Sequence, residues 1–543
     1  MRQFELPRTA RIFAALLTTA ALSSGCGDGG ESAFESEDAA VADAALLRPP
    51  QLTRLGSYLA EGGFDVGASE IVAYDARSRT LFAVNGALSR IDRISIAEPR
   101  APVLLGSIDV TPWGRQANSV AVSSHGVLAA AIEAVDKQAP GTVAFFDRDG
   151  NPLSSVQVGA LPDMLTFTPD ERTVLVANEG EPNADYSVDP EGSVSIIDLS
   201  RGARRVSQAD VRTADFHAFD GASLEPSVRI FGPGASVSQD LEPEYIAVSA
   251  DSRQAWVTLQ ENNALAVVDI RRARVERVIG LGFKDHSQVG NGFDASDKDG
   301  VSAIATHPVF GIYMPDSIAR ISSFGCTYLV MANEGDAREY GTFVEATRVA
   351  KLKLDPVAFP DAAALQADAA LGRLNVTPFN GDTDGDGDFD ALYSFGARSF
   401  SIRDAEGRLV FDSGDQLEQL TLAALPNGFN SNSTSNGPDA RSDDKGPEPE
   451  GLTVGTVRGR SYAFIGLERV GGIVVYDVTL PKYPRFVQYL NTRDFAGVPA
   501  DGTAGDLAPE GLLFIPASDS PTHKALLAVG YETSGTTTVF QFD

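Results

Sequence analysis

The chain has 543 residues, 43% of them hydrophobic, and a formal net charge of −30 at pH 7. This charge argues against a nucleic-acid partner, because proteins bind a phosphate backbone by neutralising it with Lys and Arg. Glycine (52) and proline (30) are plentiful, and no long apolar helical stretch follows the first 25 residues, so we expect an all-β fold of many short strands.

Residues 1–25 have the pattern of a lipoprotein signal peptide. Basic residues precede an apolar run over residues 12–22, and the sequence SSGC follows it. The end of this segment resembles a bacterial lipobox at Gly25 and Cys26, although Ser23 stands where leucine is usual. A lipid on Cys26 predicts an exported protein anchored to the outer membrane or cell surface of a bacterium. The alternative is an ordinary cleaved signal peptide in which Cys26 is incidental.

Residues 26–51 are rich in acidic and small residues, which predicts a flexible tether. From residue 52 to residue 543 one pattern recurs: an acidic or amide residue, an apolar strand, a turn, a second apolar strand ending at a carboxylate, and a third strand. The copies span residues 68–96, 117–147, 162–199, 242–270, 297–340, 448–478 and 508–542. Seven copies predict a seven-bladed β-propeller over residues 52–543, with long loop insertions at about 271–325 and 341–447.

Carboxylates recur at two positions of this repeat. The residue that opens the innermost strand of a propeller blade, and the residue that closes the next strand, tend to lie at a mouth of the central channel. The opening position holds Glu70, Asn118, Asp163, Glu244, Asp299, Glu450 and Glu510, and the closing position holds Asn85, Glu133, Glu179, Glu261, Glu334, Glu468 and Glu532. Each acid alone could accept backbone N–H groups in a tight turn. As a set they would repel one another unless a cation or basic side chains lie among them.

The predicted acidic site at the channel mouth combines members of this set with two neighbouring acids. It comprises Glu179, Glu244, Glu334, Asp336, Asp444, Glu450, Glu468, Glu510 and Glu532.

A second candidate site is the segment GDTDGDGDFD, which has an aspartate at every second position. These residues are Asp382, Asp384, Asp386, Asp388 and Asp390. The glycines let alternate carboxylates converge on one hard cation, and calcium prefers six to eight oxygen ligands. The segment resembles the first half of an EF-hand loop, but Tyr393 stands where that loop has a bidentate glutamate. We therefore predict Ca²⁺ at this loop, with a solvated acidic loop as the alternative.

Three further segments mix carboxylates with one or two cations: KDHSQVGNGFDASDKDG, ANEGDAREY and ARSDDKGPEPEG. This mixture suits binding of a metal together with a phosphate-containing ligand, with Lys284, Arg338 and Lys445 as candidate anion-binding residues. Internal salt bridges that fasten long loops to the channel rim are the alternative. No catalytic residue can be assigned, since the five histidines show no zinc-type spacing and no nucleophile elbow or P-loop is present.

The segments KDHSQVGNGFDASDKDG, YMPDSIA, ANEGDAREY, GDTDGDGDFDALYSFGARSFSI and DDKGPEPEG closely resemble the choice-of-anchor I family of bacterial surface proteins. That family is similar to the mesenchyme-specific cell-surface glycoproteins of sea urchins, and many relatives carry the label alkaline phosphatase. The resemblance implies a propeller displayed at the cell surface. Our leading hypothesis is a calcium-binding, lipid-anchored binding or adhesion module for an unknown surface or small-molecule ligand. The alternative is a calcium-dependent phosphohydrolase, similar to alkaline phosphatases or phytases, that uses carboxylate-bound metal at the channel.

Overall fold

The computed structural model describes residues 49–543, so the predicted signal peptide, most of the predicted tether and Cys26 lie outside the described residues. The described chain contains seven four-stranded antiparallel sheets, which are the blades of a β-propeller. Blades 1 to 6 each contain four strands that follow one another along the chain, although a long insertion separates the second and third strands of blade 5. The all-β propeller prediction with seven blades is confirmed.

The strands of the first four blades run without long interruption. Blade 1 contains β2 (Val72–Asp75), β3 (Thr80–Asn85), β4 (Arg90–Ser95) and β5 (Val103–Asp109); blade 2 contains β6 (Ala117–Val122), β7 (Leu128–Ile132), β8 (Pro140–Phe146) and β9 (Pro152–Ala160). Blade 3 contains β10 (Pro162–Phe167), β11 (Thr173–Asn178), β12 (Ser193–Asp198) and β13 (Val211–Ala214); blade 4 contains β14 (Pro243–Val248), β15 (Gln254–Leu259), β16 (Ala264–Asp269) and β17 (Arg274–Gly280).

The last three blades include the insertion and the closure of the ring. Blade 5 contains β20 (Ile318–Ser323), β21 (Cys326–Asn333), β27 (Ser399–Asp404) and β28 (Leu409–Asp412); blade 6 contains β29 (Pro449–Val457), β30 (Arg460–Leu467), β31 (Ile473–Asp477) and β32 (Arg485–Leu490). Blade 7 contains β33 (Pro509–Ile515), β34 (Ala525–Tyr531), β35 (Thr536–Phe542) and, as its outer strand, β1 (Leu52–Leu59).

The insertions add short elements outside the blades. A five-stranded sheet contains β18 (Phe283–Asp285), β19 (Phe310–Ile312), β24 (Thr347–Arg348), β25 (Asn375–Val376) and β26 (Tyr393–Ser394), and a hairpin contains β22 (Glu339–Tyr340) and β23 (Phe343–Val344). The helices are α1 (Val237–Asp240), α2 (Ala362–Leu365) and α3 (Gln416–Ala424). Within residues 49–543 no helix has the length and apolar character needed to cross a bilayer.

The predicted insertion bounds were too wide. Strands β17 and β20 lie inside the predicted insertion 271–325, yet they belong to blades 4 and 5. Likewise, β27 and β28 lie inside 341–447 and complete blade 5. The repeat is interrupted at both places: an inserted segment separates β17 of blade 4 from β20 of blade 5, and a long insertion separates β21 from β27 within blade 5.

The core is divided among the contacts between blades. An apolar cluster fills each of the seven interfaces between neighbouring blades, including the interface between blade 7 and blade 1. The second strand of each blade is apolar on both faces, as in TVLVAN of β11, because each face packs against a neighbouring blade. The ring is therefore closed.

Ring closure depends on the N-terminal strand of the described chain. Strand β1 pairs with β35 from Leu52 opposite Phe542 to Leu59 opposite Thr536, and Leu52 is buried in the cluster between blades 6 and 7. The chain thus fastens its first strand to its last blade, which leaves no gap in the ring.

We predict that a chain beginning at Ala60 unfolds at least about 5 °C below one beginning at Pro49. The shorter chain lacks β1, so it loses the seven residue pairs with β35 and the burial of Leu52. Thermal unfolding followed by circular dichroism measures the difference. Equal melting temperatures would contradict a stabilising role for the closing strand.

Candidate cation site in the central channel

The carboxylates that open the inner strands are turned by a repeated backbone irregularity. In blade 3, Pro162 pairs with Asn178 and Leu165 with Val176, so Asp163 and Met164 lie opposite a single residue. Such a β-bulge redirects a side chain, and bulges are frequent next to functional sites. The same shift follows the proline of Pro243-Glu244, Pro449-Glu450 and Pro509-Glu510 in blades 4, 6 and 7.

In blades 3, 5, 6 and 7 the residue before the proline at the start of the inner strand has a strained backbone. These residues have a positive φ between 42° and 59°, and they are Leu161, Met314, Glu448 and Ala508. In three of these blades the strained carbonyl accepts a hydrogen bond from the backbone N–H of the closing glutamate, at 2.9 Å: Leu161 from Glu179, Glu448 from Glu468, and Ala508 from Glu532. Backbone strain of this kind concentrates at functional sites. Here it holds the opening and closing carboxylates of one blade side by side.

These carboxylates line a cavity of about 530 Å³ at one end of the central channel. Eight of the nine predicted channel-mouth residues line it: Glu179, Glu244, Glu334, Asp336, Glu450, Glu468, Glu510 and Glu532. The structure adds Asp163, Glu181, Glu261, Asp316 and Glu339. Thirteen carboxylates thus face three basic side chains, namely Arg338, Lys445 and Arg469. The lining of the cavity is therefore strongly acidic.

The opening position of blade 5 was assigned to the wrong residue. Asp316, two residues before β20, lines the cavity, whereas Asp299 lies in the preceding insertion and accepts a hydrogen bond from the backbone N–H of Val301. The signal that identifies Asp316 is the dipeptide Pro315-Asp316, which matches the proline-carboxylate pairs of four other blades.

Several carboxylate oxygens in the cavity have no hydrogen-bond partner although they are shielded from solvent. One oxygen is unpaired in each of Glu244, Glu261, Glu450, Glu468 and Glu510. Glu244, Glu261 and Glu468 are exposed by only 6%, 5% and 4%. An unpaired buried carboxylate is costly, so each of these groups requires a proton or a cation.

The pKa values of the cavity carboxyls respond to this crowding. Burial, followed by the neighbouring Glu181, raises the pKa of Asp163 to about 7, and burial raises the pKa of Glu261 to about 7. Burial, followed by Glu532, raises the pKa of Glu70 to about 8. Burial, followed by Glu334, raises the pKa of Asp316 well above its usual value. Without a cation, the cavity therefore retains protons near neutral pH.

Three sets of three carboxylates at the channel have oxygens that converge closely enough for a divalent cation. One set is Asp316, Glu334 and Glu450 of blades 5 and 6, and another is Glu70, Glu510 and Glu532 of blades 1 and 7. The third is Glu334, Glu448 and Glu468, which Lys445 and Arg469 already pair with. In each set one oxygen per residue lies within 4.8 Å of the others. Hard cations such as Ca²⁺ prefer such all-oxygen surroundings, and Ca²⁺ completes its shell with further oxygens or water.

Basic side chains neutralise one side of the cavity. The Lys445 ammonium lies 2.8 Å from Glu334, 3.4 Å from Asp336 and 3.2 Å from Glu448. Burial alone would raise the pKa of Glu448, but Lys445 and then Arg441 outweigh it and lower that pKa to about 2. Asp444 does not line the cavity, because its carboxylate is turned toward Arg441 at 2.8 Å.

The other two predicted anion-binding residues are engaged inside the protein. Arg338 borders the cavity, but its guanidinium pairs with Asp240 and with Glu242 at 2.9 Å. Lys284 lies outside the cavity lining. Its ammonium donates to the carbonyls of Ala397 (2.9 Å) and Gly414 (2.8 Å) and lies 3.1 Å from Asp412. These contacts match the alternative interpretation, in which salt bridges fasten the inserted loops.

The aspartate-rich loop brings its residues into two smaller groups. Asp382, Asp384 and Asp390 form one group of converging oxygens, and Asp388 and Asp390 form another with Asp355. Asp388 also pairs with Lys353 at 2.9 Å. Asp386 belongs to neither group, and its side chain accepts the backbone N–H of Asp388. The five aspartates therefore do not all converge on one point, and calcium binding at this loop stays a prediction.

The sequence and the fold were compared with known proteins. The profile of the choice-of-anchor I domain matches residues 70–481. Gigasin-3a of Magallana gigas is 32% identical over 188 residues, which are 32% of this chain and 66% of that protein. The mesenchyme-specific cell surface glycoprotein of Strongylocentrotus purpuratus is 29% identical over 276 residues, 44% of this chain and 35% of that protein. The matches span less than two thirds of the length of either relative.

Solved structures with a similar fold include hydrazine synthase of Kuenenia stuttgartiensis, with a TM-score of 0.45 and 12% identity over 89% of this chain and 97% of that chain. Streptogramin B lyase has a TM-score of 0.44 and 8% identity, covering 91% and 98% of the two chains. The WD40 domain of Toxoplasma gondii coronin has a TM-score of 0.43 and 11% identity, covering 91% and 88%. At this identity the similarity concerns the fold alone.

We predict that the metal-free protein becomes less stable as pH rises from about 5 to about 8. The unfolded chain loses the protons of Asp163 and Glu261 near pH 4, whereas the folded protein retains them up to about pH 7. Because the folded state binds more protons between these pH values, the free energy of unfolding decreases as the pH rises. Urea unfolding in EDTA at pH 5 and pH 8 measures the decline. Replacing Asp163→Asn should reduce the decline, by roughly 1.4 kcal/mol for each unit of pKa shift removed.

The control for this experiment is Asp149→Asn, on an exposed turn of blade 2. It should leave the decline with pH unchanged. A free energy of unfolding that stays constant from pH 5 to pH 8 in EDTA would contradict the buried, proton-retaining cavity.

Proposed function

Because the chain belongs to the choice-of-anchor I family and is thereby a surface-associated β-propeller, we propose that it is a calcium-binding module for adhesion or ligand binding, held to a bacterial membrane by a lipid on Cys26. One relative is named as a cell surface glycoprotein, which supports such a location. Cys26 lies outside the described residues, so the lipid anchor rests on the sequence pattern of residues 1–26.

One observation carries the calcium proposal: the channel gathers carboxylates whose buried oxygens have no partner. Asp316, Glu334 and Glu450 converge within 4.8 Å, and Glu450 has an unpaired buried oxygen. The acidic lining outnumbers the basic lining by more than four to one. A divalent cation removes the repulsion that folding of the seven blades would otherwise create.

The position of this site suits a binding module. The cavity lies at the mouth of a rigid ring, and its wall includes the segment from Asp336 to Tyr340, which belongs to an insertion. Inserted loops on a rigid scaffold are where binding specificity is usually placed. A calcium ion there would have coordination positions left for oxygens of a ligand, since the protein supplies three carboxylates at each cluster.

We expect isothermal titration calorimetry of the EDTA-treated protein to show heat of calcium binding. Calcium at a hundred times its dissociation constant should stabilise the fold by about 2.7 kcal/mol, which raises the melting temperature. Asp316→Asn removes one charged ligand and should weaken binding at least about tenfold. Asp384→Asn, in the aspartate-rich loop, should lower the number of bound ions and leave the channel site intact.

The matched control for Asp316→Asn is Glu339→Gln. Glu339 lines the same cavity but is exposed and belongs to none of the carboxylate clusters of the channel. This variant should bind calcium as the parent protein does. Absence of both heat and thermal stabilisation at millimolar calcium would refute the proposal.

A second candidate function is calcium-dependent phosphate-ester hydrolysis. The observation that favours it is the presence of Lys445 and Arg469 in the same cavity as the cluster of Asp316, Glu334 and Glu450. A metal ion at that cluster would polarise a phosphoryl group and lower the pKa of an attacking water, while Lys445 and Arg469, which now pair with Glu334 and Glu468, would hold phosphoryl oxygens.

Hydrolysis of p-nitrophenyl phosphate and of phytate, with calcium and then with EDTA, separates the two functions. A phosphohydrolase predicts turnover that EDTA abolishes and that Asp316→Asn reduces at least about a hundredfold, because Asp316 belongs to the metal-binding cluster, while Glu339→Gln keeps it. A binding module predicts calcium binding without turnover of either ester.

A further inference from the structure

A second chamber continues the channel beyond the acidic cavity. It has a volume of about 610 Å³ and is lined mainly by the inner strands of the blades. Ile71, Ser119, Met164 and Tyr245 line both chambers. The two spaces therefore adjoin at a collar formed by these four residues. Both volumes lie in the range of small-molecule binding sites.

The second chamber, called the apolar chamber below, is lined mostly by apolar residues together with Ser123, Ser124 and Asp519, and it is open because small side chains recur at one position of the repeat. This position lies three residues after the one that opens each inner strand, and in five blades it holds a small residue that lines the chamber: Ala73, Ala121, Thr166, Ala319 and Thr453. In blade 7 the same position holds Leu513, and Phe514 beside it also contributes to the wall. The chamber thus offers an apolar lining without the packed side chains that fill an ordinary protein core.

Blade 4 contributes two carboxylates with unpaired oxygens to the acidic cavity, and it also contributes one of the four collar residues. Glu244 and Glu261 of blade 4 are more than nine-tenths buried, and one oxygen of each has no hydrogen-bond partner. Glu244 directly precedes Tyr245 of the collar. Neither glutamate belongs to a three-carboxylate cluster, and the two carboxyls lie close enough to share a proton, so a cation at this pair would take the place of that proton. A positively charged hydrogen-bond donor would pair with these carboxylates beside the entrance to the apolar chamber.

We propose that the central channel binds a linear amphiphile with an ammonium head group, whose head pairs with Glu244 and Glu261 and whose alkyl chain passes the collar into the apolar chamber. This inference goes beyond the proposed calcium site and does not require calcium. An ammonium group carries three N–H donors, which matches the unpaired oxygens, and the Tyr245 ring at the collar can attract the same charge. A carboxylate head group would be repelled by the acidic lining.

Titration calorimetry of the EDTA-treated full chain with butylamine, octylamine and octanoate tests the proposal. Octylamine should bind more tightly than butylamine by roughly fourfold per added methylene, since each buried methylene contributes a constant free energy. Octanoate should not bind. Equal affinity for the two amines, or equal affinity for octylamine and octanoate, would overturn the proposal.

Two substitutions locate the two parts of the ligand. Glu244→Gln should weaken octylamine binding at least about tenfold, because a charged hydrogen bond is lost. Ala319→Leu should fill part of the apolar chamber and lower the affinity for octylamine while leaving that for butylamine unchanged. Ala121→Leu serves the same purpose on blade 2 if Ala319→Leu fails to fold. Glu339→Gln is the control that lowers the charge of the cavity without touching the proposed contacts.

Calcium binding and amine binding can fail separately. Asp316→Asn should weaken calcium binding far more than octylamine binding, and Glu244→Gln should do the reverse. Octylamine binding that is lost in Asp316→Asn and kept in Glu244→Gln would place the head group at the calcium cluster and overturn the assignment to blade 4.

Discussion

Closure of the ring is the constraint on which the rest of the structure depends. Seven inner strands must begin around one axis, so a residue type repeated at the start of the blades is brought together at the centre. In this chain that residue is mostly a carboxylate, and a bulge behind a proline redirects it in blades 3, 4, 6 and 7. Apolar packing between neighbouring blades holds the carboxylates together against their mutual repulsion.

The charges in the channel are not balanced evenly. Near blades 5 and 6, Lys445 and Arg469 pair with Glu334, Glu448 and Glu468. Near blade 4, Glu244 and Glu261 keep unpaired oxygens. A buried carboxylate without a partner is a standing cost to stability, and such oxygens remain on both sides, since Glu450 and Glu468 also keep one each. An external cation would therefore lower this cost on both sides of the ring.

The number of blades and the positions of the acidic residues within each blade could be predicted from the sequence, because both are properties of a repeat with fixed spacing. Eight of the nine predicted channel residues line one cavity for that reason. The prediction failed where the repeat is interrupted. Asp299 was taken for Asp316 because an insertion separates blade 4 from blade 5, and the outer strands of blade 5 were assigned to a loop.

The direction of a long charged side chain could not be predicted, since it depends on which inserted loop lies beside it. Lys284 is directed to backbone carbonyls and Asp412, and Asp444 to Arg441. The apolar chamber was also missed, because small residues such as Ala121 and Ala319 look like ordinary strand residues until the blades are arranged around an axis.

The pairing of β1 with β35 also decides how the ring would respond to mechanical load. The backbone of Gln51 hydrogen-bonds to that of Asp543, and Leu52 lies opposite Phe542, so the first rungs of this ladder meet any tension that arrives through the preceding chain. Such a pull acts on the end of a strand and breaks its hydrogen bonds one after another. Peeling β1 away would thus leave β35 as the outer strand of blade 7 and withdraw Leu52 from the packing between blades 6 and 7.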